Sequence, residues 1–128
     1  MSVSYSECLI LEAIKTIFSD AVQTHRFAWL VSPKGFQSEV DIFIPSLNLA
    51  IEYDGFAFHN SPKNHTADQF KAYQILNNGM SLLHIREENL PVLLSRKGMT
   101  VLEVSSDYSD QAMQEKCAAI LSQVNYPT

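Results

Sequence analysis

Two pairs of acids on one short stretch are the residues best placed to do chemistry: Glu39 and Asp41 before a turn, Glu52 and Asp54 after it. The stretch alternates. Val40, Ile42 and Ile44 interleave with Glu39, Asp41 and Phe43; Leu49, Ile51 and Tyr53 interleave with Ala50, Glu52 and Asp54. That is the period of a strand, and Pro45-Ser46-Leu47-Asn48 between the runs has turn chemistry. A symmetric turn centred on Ser46-Leu47 pairs Ile44 with Leu49 and Ile42 with Ile51, so Asp41 faces Glu52 and Glu39 faces Asp54. Opposed residues lie on one face with Cβ atoms about 5 Å apart, and like charges there repel. A divalent cation compensates them, and hard carboxylate oxygens suit Mg²⁺, with Mn²⁺ as a substitute. The same acids could instead line a solvated face and bind nothing. Register decides between the two, because a slip of one residue sends one strand's acids to the opposite face.

The flanking elements must hold this hairpin in place. Ser4 to Ser19 reads as a helix, with Ser4 and Glu7 forming a capping-box pattern and Leu9, Ile10, Ala13, Ile14 and Ile17 at helical spacing. Val22 to Val31 reads as extended, followed by a turn at Ser32-Pro33-Lys34-Gly35. After the hairpin a helix is expected from Thr66 to a stop at Asn78-Gly79. Strands are expected at Met80 to Ile85 and Thr100 to Val104, a short helix within Glu87 to Leu94, and a last helix from Ser109 to Val124. The order α-β-β-β-α-β-β-α predicts an α/β fold, a mixed sheet flanked by helices, with residues 1–128 as a single domain.

Composition narrows the function classes. The chain has 128 residues, 46% of them apolar and 18% charged, an ordinary globular balance. No run approaches the length of a membrane span, and Met1-Ser2-Val3-Ser4 does not open like a signal peptide. Two cysteines without metal or disulfide spacing fit reduced thiols and a cytoplasmic location. Net charge is −5, unlike a stand-alone nucleic-acid binder. With five acids assigned to one site (Glu7, Asp41, Glu52, Asp54 and Asp68), nine acids are left against nine bases, so the excess acidity is accounted for by the site.

The run from Glu39 through Glu52-Tyr-Asp-Gly55 to His59 resembles the very-short-patch-repair-like branch of the PD-(D/E)XK nuclease superfamily, and is similar to the EDxHD homing endonucleases of that branch. The resemblance extends from Glu7 to the strand Leu82-Leu83-His84-Ile85. It implies a restriction-endonuclease-like fold and Mg²⁺-dependent hydrolysis of DNA phosphodiester bonds, by nicking or double-strand cutting. It also implies roles. Asp41 and Glu52 would bind the metal, and Asp54 stands where many relatives carry lysine. His59 would orient or deprotonate a water, or protonate the leaving oxygen. Glu7 and Asp68 match the outer acids. Lys71, one turn from Asp68, would meet the scissile phosphate or pair with that acid. Lys63 and His65, after the histidine, are candidate phosphate contacts. His84, in an apolar strand, reads as a hydrogen-bonded core histidine.

In such a site the cation acidifies a water, neutralises developing charge and holds the phosphate in line. Asp41→Ala is then expected to abolish Mg²⁺-dependent cutting and leave thermal stability nearly unchanged. The contrasting expectation is a non-catalytic binding or assembly module on a nuclease fold, associating without Mg²⁺. The near-neutral remainder of the surface suggests that DNA affinity comes from a separate DNA-binding domain or subunit, or from bound cations; a homo-oligomer is a further expected partner.

Overall fold

The computed structural model describes residues 11–54, 62–87, 90, 93 and 96–104, with side chains for all of these except 62–64, 87 and 102–104. Five strands form one sheet: β1 (Val22–Val31), β2 (Gln37–Ile44), β3 (Leu49–Asp54), β4 (Ser81–Glu87) and β5 (Met99–Val104). They lie in sequence order. β1, β2 and β3 are antiparallel neighbours, and β4 and β5 continue the sheet parallel to β3. Helix α1 (Pro62–Asn77) is the crossover that parallel pairing of β3 with β4 requires. The chain is therefore α/β with a mixed sheet. Calls on Glu7, on His59 and on the helix from Ser109 to Val124 lie outside the described residues, as does most of the expected short helix from Glu87 to Leu94.

The hairpin has the anticipated register: Ile42 pairs with Ile51, Phe43 with Ala50 and Ile44 with Leu49. A short 3-10 turn (Pro45–Leu47) reverses the chain, and Asn48 closes it in the left-handed region at φ 49°. Asparagine tolerates that region better than most residues. Its side chain donates to the Gly79 carbonyl at 3.0 Å, and its own carbonyl accepts from Ser81 N at 3.0 Å, tying the turn to the start of β4. On the other flank, Asp20 accepts hydrogen bonds from Ser46 N at 2.7 Å and Ser46 Oγ at 3.1 Å.

Alternation sorts the strands onto two faces. Ile42, Ile44, Leu49, Ile51, Leu83 and Ile85 pack with Ile14 on one side. Ala50 and Leu82 pack with Ala72 and Ile75 of α1 on the other, with Phe43 against them. Because Glu52 and Asp54 follow Ala50 at period two, and His84 and Arg86 follow Leu82, all four point toward the α1 side.

Two helix boundaries differ from expectation. The N-terminal helix is helical over residues 11–15 and gives way to turns before Ser19, with Phe18 N bonded to the Ile14 carbonyl at 2.8 Å. Helix α1 starts at Pro62 and not at Thr66. Proline suits a first turn, where its missing N–H is not needed and its φ is already helical. The end is as expected. Met80 N reaches the Ile75 carbonyl at 3.4 Å and Gly79 N the Leu76 carbonyl at 3.1 Å, with Gly79 at φ 78°. That is a Schellman motif, with Met80 and Ile75 sharing the core beneath it. Gln74 fixes α1 to the edge of the sheet: its side-chain amide accepts from Val31 N at 3.0 Å and donates to the Val31 carbonyl at 2.7 Å.

Candidate active site

The polar residues of the α1 face gather at the carboxyl ends of β3 and β4, where ligands of parallel sheets commonly bind. Parallel pairing sets Glu52 opposite His84 and Asp54 opposite Arg86. All four are buried, with Glu52 at 4% and Asp54 at 2% exposure, so none of them is a solvated surface charge. From β2, Asp41 comes alongside Glu52, as the hairpin register requires. Its Oδ2 accepts from Tyr53 N at 2.8 Å, which orients the carboxylate across β3. From α1, Lys71 places Nζ 2.5 Å from Glu52 Oε1, and Asp68 lies one turn before it.

Two linked networks result. In the first, Asp41 and Glu52 lie within hydrogen-bonding reach of each other and share the field of Lys71. Burial raises the Glu52 pKa well above the ordinary carboxylate range; Lys71 opposes the rise, and Asp41 and then Asp54 add to it. Burial works against the Lys71 ammonium, but Glu52, Asp41 and Asp54 outweigh it and raise its pKa. Lys71 Nζ and Glu52 Oε1 form a buried ion pair. In the second network, Asp54 Oδ2 receives both His84 Nδ1 and Arg86 Nη1, each at 2.7 Å. Arg86 Nη1 also lies 3.5 Å from Asp68 Oδ2, linking sheet to helix.

Four carboxylates (Asp41, Glu52, Asp54 and Asp68) thus cluster with two basic side chains, Lys71 and Arg86, and one histidine. A buried excess of negative charge is costly unless a proton or a metal ion offsets it. The raised Glu52 pKa is the proton solution. The cation solution is open to the same atoms, because Mg²⁺ needs only one or two protein carboxylates and completes its octahedron with water and phosphate oxygens. Among the described residues no group of three or more His, Cys, Asp or Glu side chains is arranged to hold a metal. Asp41 and Glu52 are the two carboxylates of the cluster that meet across adjacent strands.

The structure redistributes several assignments. Asp41, Glu52, Asp68 and Lys71 come together. Lys71 pairs with Glu52 across the helix–sheet interface, and Arg86 lies near Asp68. Asp54, two residues on from Glu52, is engaged by His84 and Arg86. Glu39 does not share a site with Asp54; its carboxylate pairs with Arg26 on β1 at 3.2 Å. That pair is exposed on the Arg26 side and contributes little. His65 is half-buried near the start of α1, and the Lys63 side chain is outside the described residues. His84 is the hydrogen-bonded core histidine anticipated, and Arg86 is the participant that sequence reasoning missed. Its signal was present: Leu82, His84 and Arg86 alternate like Ala50, Glu52 and Asp54, placing bases where the neighbouring strand has acids.

Comparison with protein-family models, with curated proteins and with solved structures gives no match to this chain.

Proposed function

We propose that this chain is a restriction-endonuclease-like domain that hydrolyses DNA phosphodiester bonds with Mg²⁺ held by Asp41 and Glu52. One observation carries the reading: two carboxylates from adjacent strands meet at the carboxyl end of a parallel strand pair, beside a lysine from the crossover helix. Mg²⁺, when bound, would lower the pKa of a water and neutralise charge on the phosphate. Lys71 supplies a second positive group at the same place, on a stem long enough to exchange Glu52 for a phosphate oxygen. Asp41 is held for its task by Tyr53 N, and Arg86 holds α1 against the sheet through Asp68 and Asp54. The resemblance of the hairpin to the very-short-patch-repair-like nucleases points the same way. Supercoiled plasmid incubated with Mg²⁺ or Mn²⁺ is expected to be nicked or linearised, and left intact with chelator. Intact plasmid under every divalent cation would refute it.

The second reading, a non-catalytic nuclease-fold module that binds or assembles, draws on a specific feature. Lys71 already charge-pairs with Glu52, so the cluster can persist without a metal ion. The two readings differ in how pH and metal act together. A Glu52 pKa raised on folding means that the native state binds more protons than the unfolded chain above the ordinary value of 4.5. Stability without metal therefore falls as pH rises through that window. A metal that needs ionised Glu52 displaces the proton, so its stabilisation grows with pH. Melting temperatures with excess Mg²⁺ and with chelator are expected to diverge as pH rises above the ordinary carboxylate range. Curves that coincide at every pH favour the module.

A further inference from the structure

We infer that the exposed tip of the β1–β2 hairpin grips duplex DNA beside the scissile phosphate, through Lys34 and Phe36. The inference rests on the nuclease reading and names where a chain of net charge −5 meets a polyanion. Charge is unevenly spread along the chain. Residues 21–38 carry His25, Arg26 and Lys34 and no Asp or Glu, although the whole chain has 14 acids. Arg26 balances Glu39 lower on the hairpin, at 3.2 Å, while Lys34 stands exposed at the tip. The aromatic side chains divide in the same way. Phe27, Trp29 and Phe43 pack against the core that the sheet shares with α1, with Phe27 stacked 4.8 Å from Trp29. Phe36 is 71% exposed, the highest value for a large apolar side chain among the described residues. A second copy of the chain suits this tip poorly, since its own tip would bring like charge and no acid.

The turn holds the pair in a fixed place. Gly35 N donates to the Ser32 carbonyl at 2.8 Å, with Gly35 at φ 87°, and Ser32 N donates to the Phe36 carbonyl at 2.7 Å. Phe36 N donates to Ser32 Oγ at 3.2 Å. Just before the turn, Gln74 clamps both the N–H and the carbonyl of Val31, and Gln74 lies one turn after Lys71 on α1. A tip ordered beforehand gives up little freedom on binding. It is also near the site. Phe36 precedes Asp41 by five residues. At about 3.4 Å per residue their Cα atoms are at most about 17 Å apart. A duplex rises about 3.4 Å per base pair, so that span covers no more than about five base pairs. A two-stranded ribbon fits the major groove, which sets Phe36 against base edges and Lys34 on a phosphate of the groove wall.

The test uses the intact chain and a short fluorescein-labelled duplex, with anisotropy read in chelator so that binding is measured apart from cleavage. The parent should bind, with an affinity that falls as salt rises. Lys34→Ala should make the slope of log affinity against log salt shallower by about 0.9, the mark of one lost phosphate contact. Phe36→Ala should weaken binding about tenfold with the slope unchanged, the scale of an anchoring aromatic. Lys15→Ala, at an exposed lysine of the N-terminal helix, should bind like the parent. All three should melt at the parent temperature, because each side chain is exposed. No binding by the parent at low salt overturns the proposal, as do Lys34→Ala and Phe36→Ala proteins that bind like the parent, or a Lys15→Ala protein that loses as much. So does a Phe36→Ala protein that keeps its DNA affinity while a parent dimer, followed by sedimentation, falls apart. A parent that binds through the tip and cuts nothing with any divalent cation removes the nuclease reading alone. An active parent indifferent to both tip changes removes the tip alone.

Discussion

Asp41→Asn is expected to remove Mg²⁺-dependent cleavage by about 10³-fold or more, the scale of losing a metal that contributes several kcal/mol of transition-state stabilisation. Asparagine is the more informative substitution than alanine, for a reason visible only in the structure. Asp41 Oδ2 accepts from Tyr53 N, and alanine would leave that N–H without its partner, at a cost of about 1–3 kcal/mol. Asparagine keeps a carbonyl oxygen there while removing the charge. It also removes a repulsive neighbour of Glu52, so the metal-free protein should melt at the parent temperature or slightly above. Asp41→Ala, by contrast, is no longer expected to be neutral in stability. Cleavage rates at saturating Mg²⁺ and melting curves in chelator separate the two effects. An Asp41→Asn protein that cuts like the parent contradicts the site.

Arg86→Met should be among the most damaging single changes to folding, at about 3–5 kcal/mol. Arg86 and Asp54 side chains are only 5% and 3% exposed, so removing the guanidinium takes the cationic partner from a carboxylate held away from water. The loss also releases the contact with Asp68 that draws α1 onto the sheet. Lys71 lies one turn further on the same helix, so the Glu52 pair should loosen as well. Urea denaturation reads the stability change directly. An exposed pair sets the comparison: Arg26, whose side chain is 68% exposed, should cost no more than about 1 kcal/mol when removed from Glu39. Equal effects at Arg26 and Arg86 would contradict the buried network.

How much of this was legible in the sequence follows from which contacts are local. The β2–β3 hairpin could be read because its alternation and its turn together fix register within a dozen residues, and Asp41 opposite Glu52 followed from that alone. The stop of α1 was equally local, at Asn78-Gly79. Its start was not, because Thr66 is an attractive cap while the helix begins at Pro62. The contacts of Asp54 were not local either. Its role depends on β4, which pairs with β3 only after the whole of α1 has crossed over, and no turn sets that register. Without it, His84 reads as a core histidine, and Arg86, just past the expected strand end at Ile85, has no assigned role. The partner of Lys71 was misplaced for the same reason: helical spacing offers Asp68, whereas tertiary packing brings Glu52. Sequence pattern recovers the acids that share a hairpin and misses the bases that a parallel strand delivers.

The central claim is that the Asp41 and Glu52 carboxylates share one divalent cation. A crystal soaked in Mn²⁺ and measured at the manganese absorption edge addresses it most directly. An anomalous peak between the two carboxylates, with Lys71 Nζ turned away from Glu52 Oε1, is the predicted result. Density confined to lattice water, with the lysine still against the glutamate in saturating Mn²⁺, would contradict it.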